Sequence, residues 1–110
     1  MAPQLTAFEQ AILRRIGADR PALLALIPAL QVRRREFSGA GSFTYFHPHP
    51  PVPMPDGYVG LDANIQMPGV EHGMGASIAV TSGQIDLEIY TYGIASWSGD
   101  FEGFVIEDAA

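Results

Sequence analysis

The chain contains no cysteine and no lysine, and it has no arginine after Arg35. The absence of cysteine excludes disulfide bonds, thiolate metal sites and cysteine nucleophiles. The glycine-rich segments 39–42 and 73–75 are not followed by a helical pattern, and without lysine they do not make a phosphate-binding loop. No apolar run approaches the roughly 20 residues that span a bilayer. We therefore expect no nucleotide site and no membrane segment.

Charge is divided sharply along the chain. Residues 1–35 carry a net charge of +4, whereas residues 36–110 carry ten acids, no base and a net charge of −10. The acidic part repels nucleic acid and anionic lipid. The only basic run is Arg33 to Arg35, and strand alternation would place Arg33 and Arg35 on one face and Arg34 on the other. Pairing with Glu36 and its neighbours explains the run better than nucleic-acid binding, so we expect no nucleic-acid partner and no membrane partner.

The composition is that of a globular protein. With 110 residues, of which 47% are hydrophobic and 16% charged, we expect a single domain spanning residues 1–110. The first residues lack a basic segment ahead of their apolar ones, and Glu9 interrupts the apolar stretch. This pattern does not fit a secretory signal, so we expect a cytoplasmic protein.

The helical part of the prediction is residues 1–31. Thr6 and Glu9 have the spacing of a capping box at the start of a helix. Asp19 caps a second, shorter helix, in which Pro28 produces an end or a bend. The apolar residues of the first helix recur every four positions and precede Gly17, which ends it; they are Phe8, Ile12 and Ile16.

The sheet part is residues 32–110. The stretch from Val32 to Phe46 predicts one long strand broken by a bulge or sharp twist at its glycines. Five prolines in residues 47–56 predict a polyproline or turn-rich loop. Ser82-Gly83 predicts a hairpin turn. Further strands are predicted at 61–67, 76–80, 85–89 and 101–107. The predicted fold is an α+β domain with two N-terminal helices packed on one face of a four- to five-stranded antiparallel sheet.

Two segments carry a resemblance to known proteins. They are REFSGAGSFTYF (35–46) and HGMGASIAVTSGQIDLEIYTYG (72–93), with an Arg-Glu, a Gly-x-Gly and a Leu-Glu-x-Tyr-Thr-Tyr motif. Together with the helical segment they resemble a family of small uncharacterised bacterial proteins. That family has no assigned activity. The resemblance implies one soluble α+β domain and supplies no catalytic residue.

His47 and His49, flanked by prolines, are the most ligand-like pair, and His72 beside Glu71 could complete a metal site. Alternate positions of an extended segment project in opposite directions, so exposed loop histidines are the stronger interpretation. Asp86 and Glu88 lie two residues apart on a strand face, where an outward orientation makes them solubilising charges rather than an acid–base pair. The chain has no nucleophile elbow, Walker A or His-Glu-x-x-His motif. We expect no cofactor and no catalytic residue.

Aromatic side chains supply the candidate binding surface. Tyrosine and tryptophan give large contact area at low entropic cost. Two interpretations stay open: the rings form an amphipathic patch on the outer sheet face, or the proline-rich loop folds over them. The candidate binding residues are Phe43, Tyr45, Tyr90, Tyr92 and Trp97, with Phe101 near them in sequence.

The function that these observations favour is a non-catalytic protein-binding module, of inhibitor or immunity type, that engages another protein through its sheet face and proline-rich loop. Its acidic charge would suit a basic partner. One alternative is a small metal-dependent enzyme that uses His47, His49 and His72. Another is a domain with a small-ligand pocket between helices and sheet. An exposed edge at the last strand leaves room for a homodimer formed by strand pairing.

Overall fold

A computed structural model describes residues 4–93 and 96–108, and within them the chain folds as two short helices and a seven-stranded antiparallel sheet. Helix α1 spans Ala7–Ile16, α2 spans Pro21–Leu26, and a 3-10 turn follows at Ile27–Ala29. The strands are β1 Val32–Phe37, β2 Gly41–Phe46, β3 Gly57–Gly60, β4 Ala63–Met67, β5 Val70–Thr81, β6 Gln84–Thr91 and β7 Val105–Asp108.

The α+β class is confirmed, but the expectation of four or five strands is wrong. The described chain has seven strands, of which six follow the order β1-β2-β6-β5-β4-β7, while β3 pairs with β5 off this path. Strand β5 pairs with β6 on one side. On its other side its first half pairs with β4 and its second half with β3. This long central strand therefore joins three others.

The segment from Val32 to Phe46 is a hairpin, and the prediction of one long strand is wrong. Phe37 pairs with Ser42, and Gly39 turns the chain with a φ of +84°. A left-handed turn of this kind favours glycine, which adopts it without a Cβ clash. At Gly41 the neighbouring strand lies so close that a Cβ would stand 2.2 Å from the carbonyl oxygen of Ile89. Glycine composition alone could not distinguish a turn from a bulge.

Other strand bounds also differ from the prediction. Strand β3 was not predicted, and β5 begins six residues earlier than expected because Gly73 (φ +75°) and Gly75 interrupt its apolar alternation. The last strand begins at Val105 instead of Phe101. The turn at Ser82-Gly83 is confirmed: both residues have positive φ, +50° and +79°, as a two-residue hairpin turn of the primed type requires.

A bulge in β1 interrupts the alternation that was predicted to distribute its three arginines between the two faces of the sheet. Val32 pairs with Phe46 and Arg34 with Tyr45, so Arg33 is the extra residue. Arg35 consequently pairs with Thr44, whose side chain is fully buried. We call the face that carries Thr44 the inner face of the sheet and the opposite one the outer face. The bulge thus sends Arg35 inward and Arg34 outward.

Helix α1 is held to the sheet by a buried ion pair. The carboxylate of Glu9, which is fully buried, accepts hydrogen bonds from Arg35 Nε (3.0 Å) and Nη2 (2.5 Å). It also accepts one from Thr44 Oγ1 (2.5 Å) and one from the Thr6 backbone N–H (2.8 Å). The Thr6 hydroxyl in turn accepts from the Glu9 backbone N–H, so the predicted capping box is confirmed. One carboxylate therefore caps α1 and anchors it to β1 and β2.

These contacts keep Glu9 ionised. Burial raises the pKa of its carboxyl group, but the hydrogen bonds from Arg35, Thr44 and Thr6 and the charge of Arg35 outweigh burial. The net result is a pKa below the ordinary value of 4.5. Glu9 is a fixed negative charge at neutral pH.

Helices and strands share one hydrophobic core. The inner face supplies every second residue of the central strands, as the alternation in β6 predicted. None of the described helices is long and apolar enough to cross a membrane. The largest fully buried apolar side chains of the core are Phe8, Ile12, Leu13, Leu23, Ile65, Met74, Ile78, Leu87 and Ile89.

We expect Glu9→Gln to lower the free energy of unfolding by about 3–5 kcal/mol, because it leaves the guanidinium of Arg35 without its counter-charge in a buried site. Urea denaturation followed by the fluorescence of Trp97 measures this. The matched control is Asp62→Asn, which removes an exposed acid from its 3.2 Å contact with Arg15 and should cost no more than about 1 kcal/mol. Equal effects of the two substitutions would contradict the anchoring role of Glu9.

The same carboxylate predicts a pH dependence. Because the folded-state pKa of Glu9 is lowered, its contribution to stability is complete above the ordinary pKa of 4.5 and is lost as the pH falls through the folded value. Wild-type stability should therefore drop below about pH 4.5 more steeply than that of Glu9→Gln. Denaturation curves recorded from pH 3 to pH 7 compare the two slopes. If the free energy of unfolding falls with pH in parallel for the wild type and Glu9→Gln, other carboxylates cause the acid sensitivity.

Candidate functional site

The strand register places two rows of side chains across the outer face. Residues directly opposite each other on paired strands point to the same side of a sheet. Both rows cross β1, β2, β6, β5 and β3 in that order. The first row is Arg34, Tyr45, Asp86, Ala79 and Tyr58, and the second is Glu36, Phe43, Glu88, Ser77 and Gly60.

The aromatic members of these rows are accessible. Tyr58 is 78% exposed and Phe43 is 36% exposed. The rings of Phe43 and Tyr45 stack with centroids 6.3 Å apart, and the guanidinium of Arg34 lies 4.4 Å from the centre of the Tyr45 ring. The small residues Ala79 and Ser77 lie between these rings and β3. Aromatic side chains of β2 and β3 thus stand on either side of smaller ones, and we call this part of the outer face the trough.

Tyr90 and Tyr92 extend this surface at one end. Their rings meet edge to face at 5.8 Å, and Tyr92 is 41% exposed. They lie over Gly75, where a Cβ would stand 2.7 Å from the Tyr90 ring and 2.5 Å from Tyr92 Oη. Burial, followed by the influence of Tyr92 and Glu88, raises the pKa of Tyr90. Its hydroxyl therefore stays protonated and available as a hydrogen-bond donor.

Two acids in the middle of the outer face have no hydrogen-bonded partner in the part of the chain that the structure describes. Among the described residues, neither Asp86 nor Glu88 forms a hydrogen bond or a salt bridge, whereas Glu36 binds Arg34 at 2.6 Å. Partial burial raises the pKa of Asp86, an effect opposed by its electrostatic interactions with Arg33, His49 and Arg34. A carboxylate in this position is free to pair with a cationic group of another molecule.

Trp97 lies apart from the other candidate binding residues. It is buried and packs against Phe101 (5.4 Å), Phe37 (6.0 Å) and Phe8 (6.4 Å between ring centroids). Its indole N–H donates to the carbonyl oxygen of Asp100 at 3.1 Å. Trp97 and Phe101 are therefore parts of a cluster between α1, β1 and the segment before β7, not parts of the outer face.

Tyr58 is the outer-face residue that the sequence analysis missed. It stands in a strand of four residues directly after the proline-rich loop, too short for an alternation pattern to be recognised. The available signal was a Gly-Tyr-Val-Gly segment that follows Pro-Asp, where β-favouring residues resume after turn residues.

The proline-rich loop packs at the turn between β5 and β6. The backbone N–H of Val52 donates to the carbonyl oxygen of Gly83 at 2.9 Å, and Val52 is buried. The side chain of Gln84 bonds both backbone groups of His49, accepting from its N–H (3.1 Å) and donating to its carbonyl (2.8 Å). These contacts hold the loop at the end of β6 opposite to Tyr90.

The three histidines do not converge. His49 uses both ring nitrogens: Nε2 accepts from the backbone N–H of Ile85 (3.1 Å), and Nδ1 lies 2.8 Å from the carbonyl oxygen of Pro50. His72 lies near Gly93, past the far end of β6, and 3.9 Å from a carboxylate oxygen of Glu71. His47 lines a cleft beside Gln31. Within residues 4–93 and 96–108, no three His, Cys, Asp or Glu side chains form a group that could hold a metal ion.

Comparison with protein-family models, with curated proteins and with solved structures finds no match to this chain. The resemblance to small uncharacterised bacterial proteins therefore stays an expectation.

We expect the double variant Asp86→Asn, Glu88→Gln to keep its free energy of unfolding or to gain up to about 1 kcal/mol, since Asp86 is exposed, Glu88 is half-buried, and solvent screens charges that have no close partner. The sign for Asp86 follows from its raised pKa: ionisation of this group opposes folding, so a neutral amide removes that penalty at pH 7. Chemical denaturation measures the change. A loss above about 1 kcal/mol would mean that the two acids stabilise the fold.

Proposed function

We propose that this protein is a non-catalytic binding module that holds another protein against the outer face of its sheet, while its two helices cover the inner face. The observation that supports this most directly is the combination of exposed rings with unpaired acids in one trough. Tyr58 and Phe43 contribute the apolar area, and Asp86 and Glu88 contribute charge without an internal partner. Aromatic anchors with a polar surround are typical of protein interfaces.

The partner that fits this surface is basic. An arginine or lysine placed in the trough would pair with Asp86 or Glu88 and could lie against the ring of Phe43, Tyr45 or Tyr58. The net charge of −6 would speed its association at low salt. An inhibitor or immunity-type role towards a basic protein agrees with this chemistry.

The metal-dependent enzyme has weaker support than the binding module. Both ring nitrogens of His49 contact backbone groups, those of Ile85 and Pro50, and His72 lies at the other end of β6. A catalytic metal site needs about three converging ligands and an open position.

Replacement of two exposed rings that stand on opposite sides of the trough, Phe43 and Tyr58, tests the proposal. We expect Phe43→Ala with Tyr58→Ala to weaken partner binding at least tenfold, which corresponds to about 1.4 kcal/mol, and to leave the fold intact because both rings lie outside the core. The partner is first identified by native mass spectrometry of tagged protein purified from its host at low salt, and its affinity is then measured by calorimetry. The double variant Tyr90→Ala, Tyr92→Ala should also keep its fold, and we expect it to lose capture of the partner altogether.

The matched control is Leu24→Ala, which removes an apolar side chain of similar exposure, 38%, from helix α2. Added salt should weaken partner binding by the wild type more than partner binding by the double variant Asp86→Asn, Glu88→Gln. The double variant has already lost the attraction between these acids and a basic partner. A partner whose affinity depends on Leu24 and not on Phe43 and Tyr58 would contradict the outer-face proposal. So would a purified sample that contains only copies of this chain.

A further inference from the structure

A concave surface lies beside helix α1, away from the residues of the outer face. A cleft of about 590 Å³ opens between α1, the 3-10 turn and the first residue of β1. Its apolar lining includes Ile27, Leu30 and Val32, all of which are buried residues of the core. This volume lies within the range of small-molecule sites, which combine an apolar lining with a few polar groups.

The charge of the cleft is opposite to that of the whole protein. Twelve acids outnumber six arginines in the chain, yet among the described residues no acid lines the cleft, and the one permanent charge in its lining is the guanidinium of Arg14. Four other arginines, at positions 15, 20, 34 and 35, form salt bridges. Arg14 has no salt bridge within the described chain, and its hydrogen bond is to Gln10 Oε1 at 3.2 Å. Within the described chain, its charge therefore has no counter-charge at the wall of a cleft that is part apolar and part polar.

The remaining polar groups of the wall are neutral donors and acceptors. Gln10 and Gln31 present amides, and His47 lies opposite α1. A hydrogen bond of 2.9 Å from the backbone N–H of His47 to the carbonyl oxygen of Gln31 holds this side of the cleft together. Amide N–H groups beside a guanidinium are suited to a carboxylate, which accepts several hydrogen bonds at once.

We propose that this cleft binds a small monocarboxylate with an aliphatic body, its head group on Arg14 and its chain on Ile27, Leu30 and Val32. A single guanidinium balances one negative charge and leaves the second charge of a phosphate monoester dianion without a partner. The hydrocarbon body accounts for the apolar floor, where contact with carbon removes that surface from water. This site is separate from the outer face and does not depend on the function proposed for it.

Titration with octanoate, followed by ¹H–¹⁵N NMR of the whole protein, tests the proposal. We expect saturable shifts of the backbone amides of Gln10, Gln31 and Val32. Octylammonium has the same chain and the opposite charge, and it should bind at least tenfold more weakly, as the loss of a charge-assisted hydrogen bond predicts.

Variants of the wall locate the interaction. Arg14→Gln should weaken octanoate binding at least tenfold, and Gln10→Glu should weaken it as well by placing a carboxylate beside the head group. The matched control is Arg15→Gln, the adjacent arginine of α1, which pairs with Asp62 and Asp108 and does not line the cleft. It should bind octanoate like the wild type.

Three results would overturn the proposal: equal binding of octanoate and octylammonium, unchanged affinity of Arg14→Gln, or no saturable shift at the cleft up to about 10 mM octanoate, beyond which affinities are too weak for a specific site. Phe43→Ala with Tyr58→Ala should bind octanoate normally. This variant separates a failure of the cleft proposal from a failure of the outer-face proposal.

Discussion

The contact between Glu9 and Arg35 determines how the rest of the protein is arranged. Helix α1 has ten residues, a length that is marginal for a helix without tertiary contacts. The carboxylate that completes its capping box is also the one that binds Arg35 and Thr44, so the start of the helix and its place on the sheet are fixed by the same side chain. Buried ion pairs carry a large desolvation penalty, and the additional donors from Thr6 and Thr44 help to offset it here.

The two faces of the sheet follow from this contact. Because Arg35 points inward to meet Glu9, its strand neighbours Arg34 and Glu36 point outward and pair with each other. The same register turns Thr44 inward and Phe43 and Tyr45 outward. The bulge at Arg33 makes this possible, since it shifts β1 by one residue after Val32 has entered the core. The three successive arginines therefore have different environments despite their identical chemistry.

Local patterns predicted the parts of the fold that depend on neighbours in sequence. The capping box at Thr6 and Glu9, the turn at Ser82-Gly83 and the alternation of β6 each need only a few adjacent residues. The hairpin at Gly39 was missed because glycine allows a bulge and a turn equally well. Partners of Glu9 that lie 26 and 35 positions away could not be read from the chain. Neither could the burial of Trp97, since residue type alone does not separate a core ring from a surface ring.

Strand β3 has a particular place among the elements that carry the outer face. It is four residues long, pairs only with β5 within the described sheet, and contributes no residue to the fully buried core. Short elements with few buried contacts open locally at a fraction of the energy needed to unfold the whole domain. Tyr58 therefore stands on a strand of the outer face without fully buried residues, opposite β2 and β6, which both carry core residues. In the binding mode proposed above, this strand is the part of the surface that can shift to fit a partner while the core stays intact.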